Sequence, residues 1–503
     1  MVQNVPMKAN ILRQKKIVLA MALALGTQGL SVAAWAQDKT SAASPKETNS
    51  TPVASATTPE LANNDLLSLY RDAALNDPVF NAAKYGYLAG KEKLWQGLSV
   101  LLPQVSAVGS ETKNNVVNKA NYAENRYMSR GWTVKLTQPL FNWDKWEQFR
   151  QGDMASAIAE AQYAAAEQDL VLRVTEAYFN VLNAQDTLNL ARNKKVLIKE
   201  QLEQAKRNFE VGTATITDTH EAQSRYDLVI AQELASEADL QIKRSALEQL
   251  TGTSIGNLKS LSSQAKIEII AKERKIKLKN NQKPSKVNIE NAVAVQPHQD
   301  IQGWIKQAED VSYSIIASKL AYEVAQKDTN RAIAGHAPSI DLIAQRGYND
   351  TESGGIGVNY KGYAGQATIQ VTIPLFSGGY TQSVVREKSA LASKALADYE
   401  NTRRSVAQAT RQAYLGFTSG LAQVKAYEAA EISALSALDS NKLGYEVGVR
   451  INIDVLNAQD TLFTTRRDLA KSRYDTILNG LKLKAQAAVL SDEDLQAVNA
   501  LLK

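Results

Sequence analysis

The 503-residue chain has 58 Lys and Arg against 52 Asp and Glu, a formal charge of +6. Residues 1–36 and Lys266–Lys286 together hold more than this excess, so the rest is slightly acidic, which excludes a nucleic-acid footprint spread over the protein. With no cysteine, disulfides, thiol catalysis, zinc ribbons, iron–sulfur clusters and lipidation of an N-terminal cysteine are excluded; His220, His298 and His336 lie far apart, and no metal or cofactor is expected.

Residues 1–36 read as a secretory signal. A basic region ends at Lys15-Lys16, an apolar run spans Ile17 to Leu25, and Ala34-Trp35-Ala36 offers a small-x-small cleavage site before Gln37. The run is well short of the ~20 residues a membrane span needs, which argues against an uncleaved anchor. Residues 37–60, rich in Ser, Thr, Ala and Pro, are predicted to be a disordered lead-in. No later segment has the apolar length of a transmembrane helix, so a β-barrel is the route left for crossing a membrane.

The next segment, 61–300, contains two strand candidates and two long helices. Trp132, Val134 and Leu136 alternate with Thr133, Lys135 and Thr137, and a partner segment begins after Pro103 with Val105 and Ala107. Such alternation over about nine positions is the signal of a transmembrane strand with one face toward lipid and one toward water; the same residues also fit a soluble hairpin packed on a helical bundle. Residues 153–211 contain neither Pro nor Gly and predict one helix of roughly 88 Å. A second helix is predicted over 213–251, broken by Thr251-Gly252. The Lys266–Lys286 stretch alternates as Lys275-Ile-Lys-Leu-Lys279, which fits an edge strand whose charges discourage aggregation, or a contact with a partner protein or peptidoglycan.

Residues 301–488 repeat the plan. A strand candidate follows Pro338 with Ile340 and Leu342, and Ala367, Ile369, Val371 and Ile373 alternate with Thr368, Gln370 and Thr372. Gly354-Gly355-Ile-Gly357 between them reads as an external loop rather than a phosphate cradle. Pro103, Pro139, Pro338 and Pro374 are placed at the four helix–strand junctions, with Tyr127, Trp132, Phe141, Trp143, Trp146, Tyr360, Tyr363, Phe376 and Tyr380 gathered at strand ends as interfacial girdles. The repeat is literal: Leu136-Thr-Gln-Pro-Leu-Phe141 recurs as Val371-Thr-Ile-Pro-Leu-Phe376, and Phe209-Glu-Val-Gly212 as Tyr445-Glu-Val-Gly448. Leu102-Pro-Gln-Val105 matches Ala337-Pro-Ser-Ile340 at the same offset within a residue, and Ala222-Gln223 matches Ala458-Gln459. Four strands are too few to close a barrel, for which about eight is the minimum, so a membrane-spanning reading requires several copies to pool their strands.

Together these motifs, with Leu101-Leu-Pro-Gln104, Tyr178-Phe-Asn-Val-Leu-Asn-Ala184, Ile216-Thr-Asp218 and Asp454-Val-Leu456, resemble the TolC-type outer-membrane efflux and type I secretion channels. The resemblance runs from about Leu61 to Lys503. It implies a mainly α fold with transmembrane β structure: a homotrimer whose twelve strands form one β-barrel in the outer membrane of a Gram-negative cell, continued by an α-helical tunnel across the periplasm. Residues 489–503 would then form a C-terminal equatorial tail. The implied partners are a periplasmic adaptor (membrane fusion) protein, an inner-membrane transporter of RND, ABC or MFS type, and outer-membrane lipid, with no nucleic acid.

The resemblance also implies a closed-state gate at the tip, where Gly212 and Gly448 end the longer helices. It assigns Tyr445 a hydrogen bond to Asp218, Arg450 contacts to Thr217 and Asp218, and Gln201 a link to the arginine of a neighbouring protomer. Thr215-x-x-Asp218 is equally a capping-box pattern, and capping and gating are compatible. At the narrowest point the resemblance implies two aspartates per protomer; here the positions hold Asp454 and Asn457, which weakens the expected cation preference. The implied function is a passive exit duct, not an enzyme. The rival reading is an exported coiled-coil spacer without a pore; a periplasmic adaptor is a third option, disfavoured by the duplicated pairs of long helices.

Overall fold

The computed structural model describes residues 65–118, 123–213, 215–261, 300–351 and 360–502, all within one of the chain's two units, Glu60–Lys503. The signal and lead-in segments, Lys266–Lys286 and the Gly354–Gly357 loop lie outside the described residues.

Two helices open the fold, α1 (Leu66–Asn76) and α2 (Pro78–Ser99). Asp77 lies between them and is 2% exposed. Its carboxylate accepts from the amides of Val79 and Phe80 at 3.4 and 3.0 Å, while Pro78 fills the first-turn position that needs no N–H donor. Strands β1 (Gln104–Asn118) and β2 (Ala123–Phe141) then lead into α3 (Trp143–Glu210). Asn142 caps α3 by accepting from the Lys145 amide at 3.1 Å. At 68 residues α3 is roughly 100 Å long. It starts ten residues earlier than the Pro/Gly-free run predicts and passes through Gly152. That glycine is a packing requirement: a Cβ there would lie 2.5 Å from the Lys93 carbonyl oxygen of α2 and 3.1 Å from Gly97 Cα. Gly152→Ala is therefore expected to lower the thermal unfolding midpoint although alanine favours helix, by about 1–3 kcal/mol of overpacking. Gly86→Ala, where nothing lies within 4 Å, should be neutral or stabilising in the same assay.

Helix α4 (Ile216–Thr251) returns antiparallel to α3 and ends at Gly252, whose φ is +69°. The second half repeats the order: α5 (Ile301–Val311), α6 (Tyr313–Ala334), β3 (Ser339–Thr351), β4 (Tyr360–Thr372), α7 (Tyr380–Glu446) and α8 (Asn452–Gln486). A short α9 (Asp492–Asn499) closes the chain. The principal core sits midway along α3, where the C-terminal ends of α4 and α8 meet it. Leu66 and Leu69 of α1, Leu170 and Tyr178 of α3, Leu247 of α4, Ile477 and Leu481 of α8 and Leu495 of α9 are all fully buried there. The Tyr178 hydroxyl is satisfied by donating to the Lys259 carbonyl at 2.8 Å.

Among the described residues the four strands form one antiparallel sheet in the order β1-β2-β3-β4, with an open edge on β1 and on β4. All the strands are longer than the nine positions predicted, and β2 joins the two halves by pairing with β3 as well as with β1. Pro139 lies inside β2, at a register shift between Pro139 and Phe141, rather than beyond the strand end as expected; a bulge is where a strand tolerates a missing N–H.

The register sorts the faces. Val105, Leu136 and Ala344 share one cross-strand row, and Leu342 faces Ile369 while Ile340 faces Val371 on the same side. The opposite face carries rows such as Lys135, Gln345 and Gln366, or Asp341 with Gln370. Trp132, Tyr348 and Tyr363 end the apolar face, with ring centroids 5.2 Å apart for the two tyrosines and 6.4 Å for Trp132 and Tyr363. One row further on lie the ion pairs Glu111–Arg130 at 3.5 Å and Asp350–Lys361 at 3.3 Å. An apolar face, an aromatic border and a charged rim follow each other in the order a membrane profile demands.

Candidate functional site at the tip of the helical hairpins

The longer helix of each hairpin stops in the same way. Gly212 and Gly448 adopt φ of +78° and +79°, a conformation disfavoured for residues with a Cβ. The Thr213 amide reaches back to the Asn208 carbonyl at 2.8 Å, and the Val449 amide to the Gly444 carbonyl at 2.9 Å. Both are Schellman caps, so the repeated x-Val-Gly of the sequence is a helix terminator used twice.

Beyond the first cap, Thr215 and Asp218 form a reciprocal capping box at the start of α4. The Asp218 carboxylate accepts from the Thr215 amide at 3.0 Å and from its hydroxyl at 2.8 Å. Within the chain, then, Asp218 is bound to its own helix start. Tyr445 takes a different partner, its hydroxyl accepting from Asn208 Nδ2 at 3.0 Å. The Arg450 guanidinium lies 3.6 Å from the Asp454 carboxylate. Gln201, 8% exposed, donates to Asn452 Oδ1 at 2.6 Å. Thr217 stands in the first turn of α4, one residue before Asp218.

Asp454 and Asn457 line one open groove of about 360 Å³ together with Arg450, Asn441 and Thr461. Asn457 Oδ1 accepts from Arg225 of α4 at 3.2 Å. The other arm of the same guanidinium binds Asp460 at 2.9 Å, and Lys194 of α3 reaches Asp460 at 2.5 Å. Two cations of one hairpin thus hold a single carboxylate of the other. Behind them Ile198, Val229 and Leu456 form a small buried cluster that also spans the two hairpins. Lys194, Arg225, Asn208, Asn452 and Asp460 were not among the residues singled out from sequence. The charge difference that follows the repeated Ala-Gln, Ser224-Arg225 in one half and Asp460 in the other, is a signal for Arg225 and Asp460 alone.

Comparison with known proteins bears on this arrangement. Residues 69–253 and 304–487 each match the outer membrane efflux protein family, once per half of the repeat. The chain is 30% identical over 446 residues to outer membrane protein TolC of Escherichia coli (strain K12), covering 86% of this chain and 84% of that protein. It is 31% identical to outer membrane protein TolC of Vibrio cholerae, covering 87% and 94%, and 29% identical to the alkaline protease secretion protein AprF of Pseudomonas aeruginosa, covering 86% of each. In fold it is similar to CusC, with a TM-score of 0.67 at 18% identity over 85% of this chain and 92% of that one. The outer membrane protein VceC of Vibrio cholerae gives a TM-score of 0.67 at 17% identity over 84% and 96%. The chain belongs to the outer membrane efflux protein family and is an outer-membrane channel of the efflux and type I secretion kind.

Proposed function

We propose that three copies of the chain pool their sheets into one twelve-stranded barrel, and that the long helices continue it as a periplasmic tunnel closed at the tip. The observation that carries this is the four-stranded sheet itself: one largely apolar face bordered by aromatics, with both edges unpaired among the described residues. In a bilayer each unpaired backbone group costs several kcal/mol, so β4 must pair with β1 of a second copy, and three-fold repetition exceeds the strand number needed for closure. The chain divides accordingly into an export signal (1–36) and lead-in (37–60), two repeat halves (61–300 and 301–488) and an equatorial tail (489–503).

The duct is passive. A periplasmic adaptor and an inner-membrane transporter of RND, ABC or MFS type dock at the tip and open it, and the transporter supplies the energy. Tyr445, Arg450, Asp218, Thr217 and Gln201 form the gate, with Asp454 and Asn457 at the constriction. Within the chain Asn208 and Asp454 already occupy Tyr445 and Arg450, so the gate's remaining links run between protomers.

Planar-bilayer conductance of the mature protein tests this. The expected result is small, cation-preferring currents that rise severalfold in Tyr445→Phe/Arg450→Ser. Folded protein that neither inserts nor conducts would instead favour the coiled-coil spacer.

A further inference from the structure

Arg346 sits where the fold gives it no counter-charge. It lies in the middle of β3, with Ala344 and Tyr348 as its neighbours on the same face of the strand. Its cross-strand partners are Val134 on β2 and Gly365 on β4. The diagonal positions on that face are Trp132 and Leu136 on one side and Tyr363 and Ala367 on the other. This is the apolar face of the sheet, and the Arg346 side chain is exposed on it. Among the described residues it makes no hydrogen bond or ion pair. The nearest carboxylate along the strand, Asp350, is four residues away, roughly 13 Å, and is occupied by Lys361 at 3.3 Å.

Because β3 is an interior strand, flanked on both sides by strands of its own chain, a second copy cannot place a residue directly beside it. An ionised side chain on a lipid-facing surface is costly unless something answers its charge, and it marks a functional position. Arg346 is one row inside the aromatic border of Trp132, Tyr348 and Tyr363, on the loop side of the band. Its long stem therefore carries the guanidinium along the strand to headgroup level. Gly365 beside it has no side chain to cover that path.

We propose that Arg346 binds the phosphate group of an outer-leaflet lipid, one site per protomer, placed on the outside of the barrel; this rests on the membrane-spanning barrel proposed above. The planar guanidinium donates two parallel hydrogen bonds to phosphate oxygens, a geometry that an ammonium group does not reproduce. The aromatic rings above it pack on the first part of the lipid.

The test reconstitutes full-length mature protein into phosphatidylcholine vesicles doped with either diphosphoryl lipid A or its dephosphorylated counterpart. The protein is then extracted in mild detergent, and the retained glycolipid is counted by native mass spectrometry. Wild type should retain the phosphorylated form and lose the dephosphorylated one. Arg346→Gln should lose about tenfold in retention, as befits a charge-assisted pair, with Arg346→Lys in between. Lys361→Gln, one row beyond the aromatics, should behave as wild type. Equal retention of the two glycolipids by wild type, or wild-type retention by Arg346→Gln, would overturn the site. Should Arg346→Gln not insert, Arg346→Lys carries the test, and wild-type retention of the phosphorylated form by that variant would overturn the site. Failure of the wild type itself to insert would overturn the barrel first, and the site with it.

Discussion

Reconstituted Asp460→Lys channels should conduct severalfold more than wild type while inserting equally well. Asp460 is the one carboxylate of α8 that answers two cations of the other hairpin, Lys194 and Arg225. The other links at this level lack a second carboxylate: Gln201 to Asn452 and Asn208 to Tyr445 are neutral, and Arg225 to Asn457 joins a cation to an uncharged amide. A lysine at 460 puts three positive charges where one negative charge held two. Lys194 and Arg225 are 15% and 31% exposed, so solvent screens only part of that repulsion. The loss comes to about 2 kcal/mol per protomer, between an exposed pair and a buried one. In the proposed trimer it acts three times on one opening. Asp460→Asn keeps an acceptor for Arg225 and should open the tip less. High salt should narrow the difference between Asp460→Lys and wild type, because the term is Coulombic. Equal conductance in all three proteins would place tip closure wholly on the Tyr445 and Arg450 side.

Much of this architecture was legible because it rests on backbone rules. The absence of Pro and Gly over 153–211 announced a helix far longer than globular ones, and Gly212 and Gly448 marked where the two long helices stop. Alternation around Trp132 and Ile369 announced strands with one apolar face, and the register puts both on that face. The Thr215 to Asp218 spacing announced the capping box that forms. What stayed hidden depends on which elements touch. Gly152 looked like a helix boundary because local sequence does not say that Lys93 and Gly97 will press against it. Pairing of β2 with β3 joins residues some two hundred positions apart, and nothing local fixes that choice.

The tip shows the same division. The capping of Asp218 is local, and its pattern is readable within four residues. The partners of Tyr445, Gln201 and Asn457 lie on another hairpin, and only the packed helices bring Asn208, Asn452 and Arg225 to them. A residue type announces what chemistry a side chain can do; which partner it meets is a property of the crossing of helices.

Asp77→Ala should be among the most destabilising single substitutions in the helical part, with Asp77→Asn milder. The residue's backbone amide ends α1 on the Ala73 carbonyl, while its side chain caps α2 and, through Arg173 at 2.8 Å, ties it to α3. Burial alone would push the Asp77 carboxyl up. The hydrogen bond from Arg173, the Phe80 amide and the Arg173 charge outweigh burial and hold it below the usual carboxylate range. Loss of the cap and of a charge-assisted bond amounts to about 2–4 kcal/mol; Arg173 is not orphaned, because Asp169 still binds it at 2.6 Å. The sign with pH follows from the depressed value. A carboxyl that is more acidic folded than unfolded contributes its full stabilisation above the unfolded value, near 4, and loses it as pH falls through the lower folded value. Thermal unfolding of detergent-solubilised protein, followed by circular dichroism, should therefore show a lowered midpoint for Asp77→Asn at neutral pH. The gap to wild type should close as the pH is taken below 4. A gap that stayed constant with pH would assign the effect to packing and leave the ionised cap without a role.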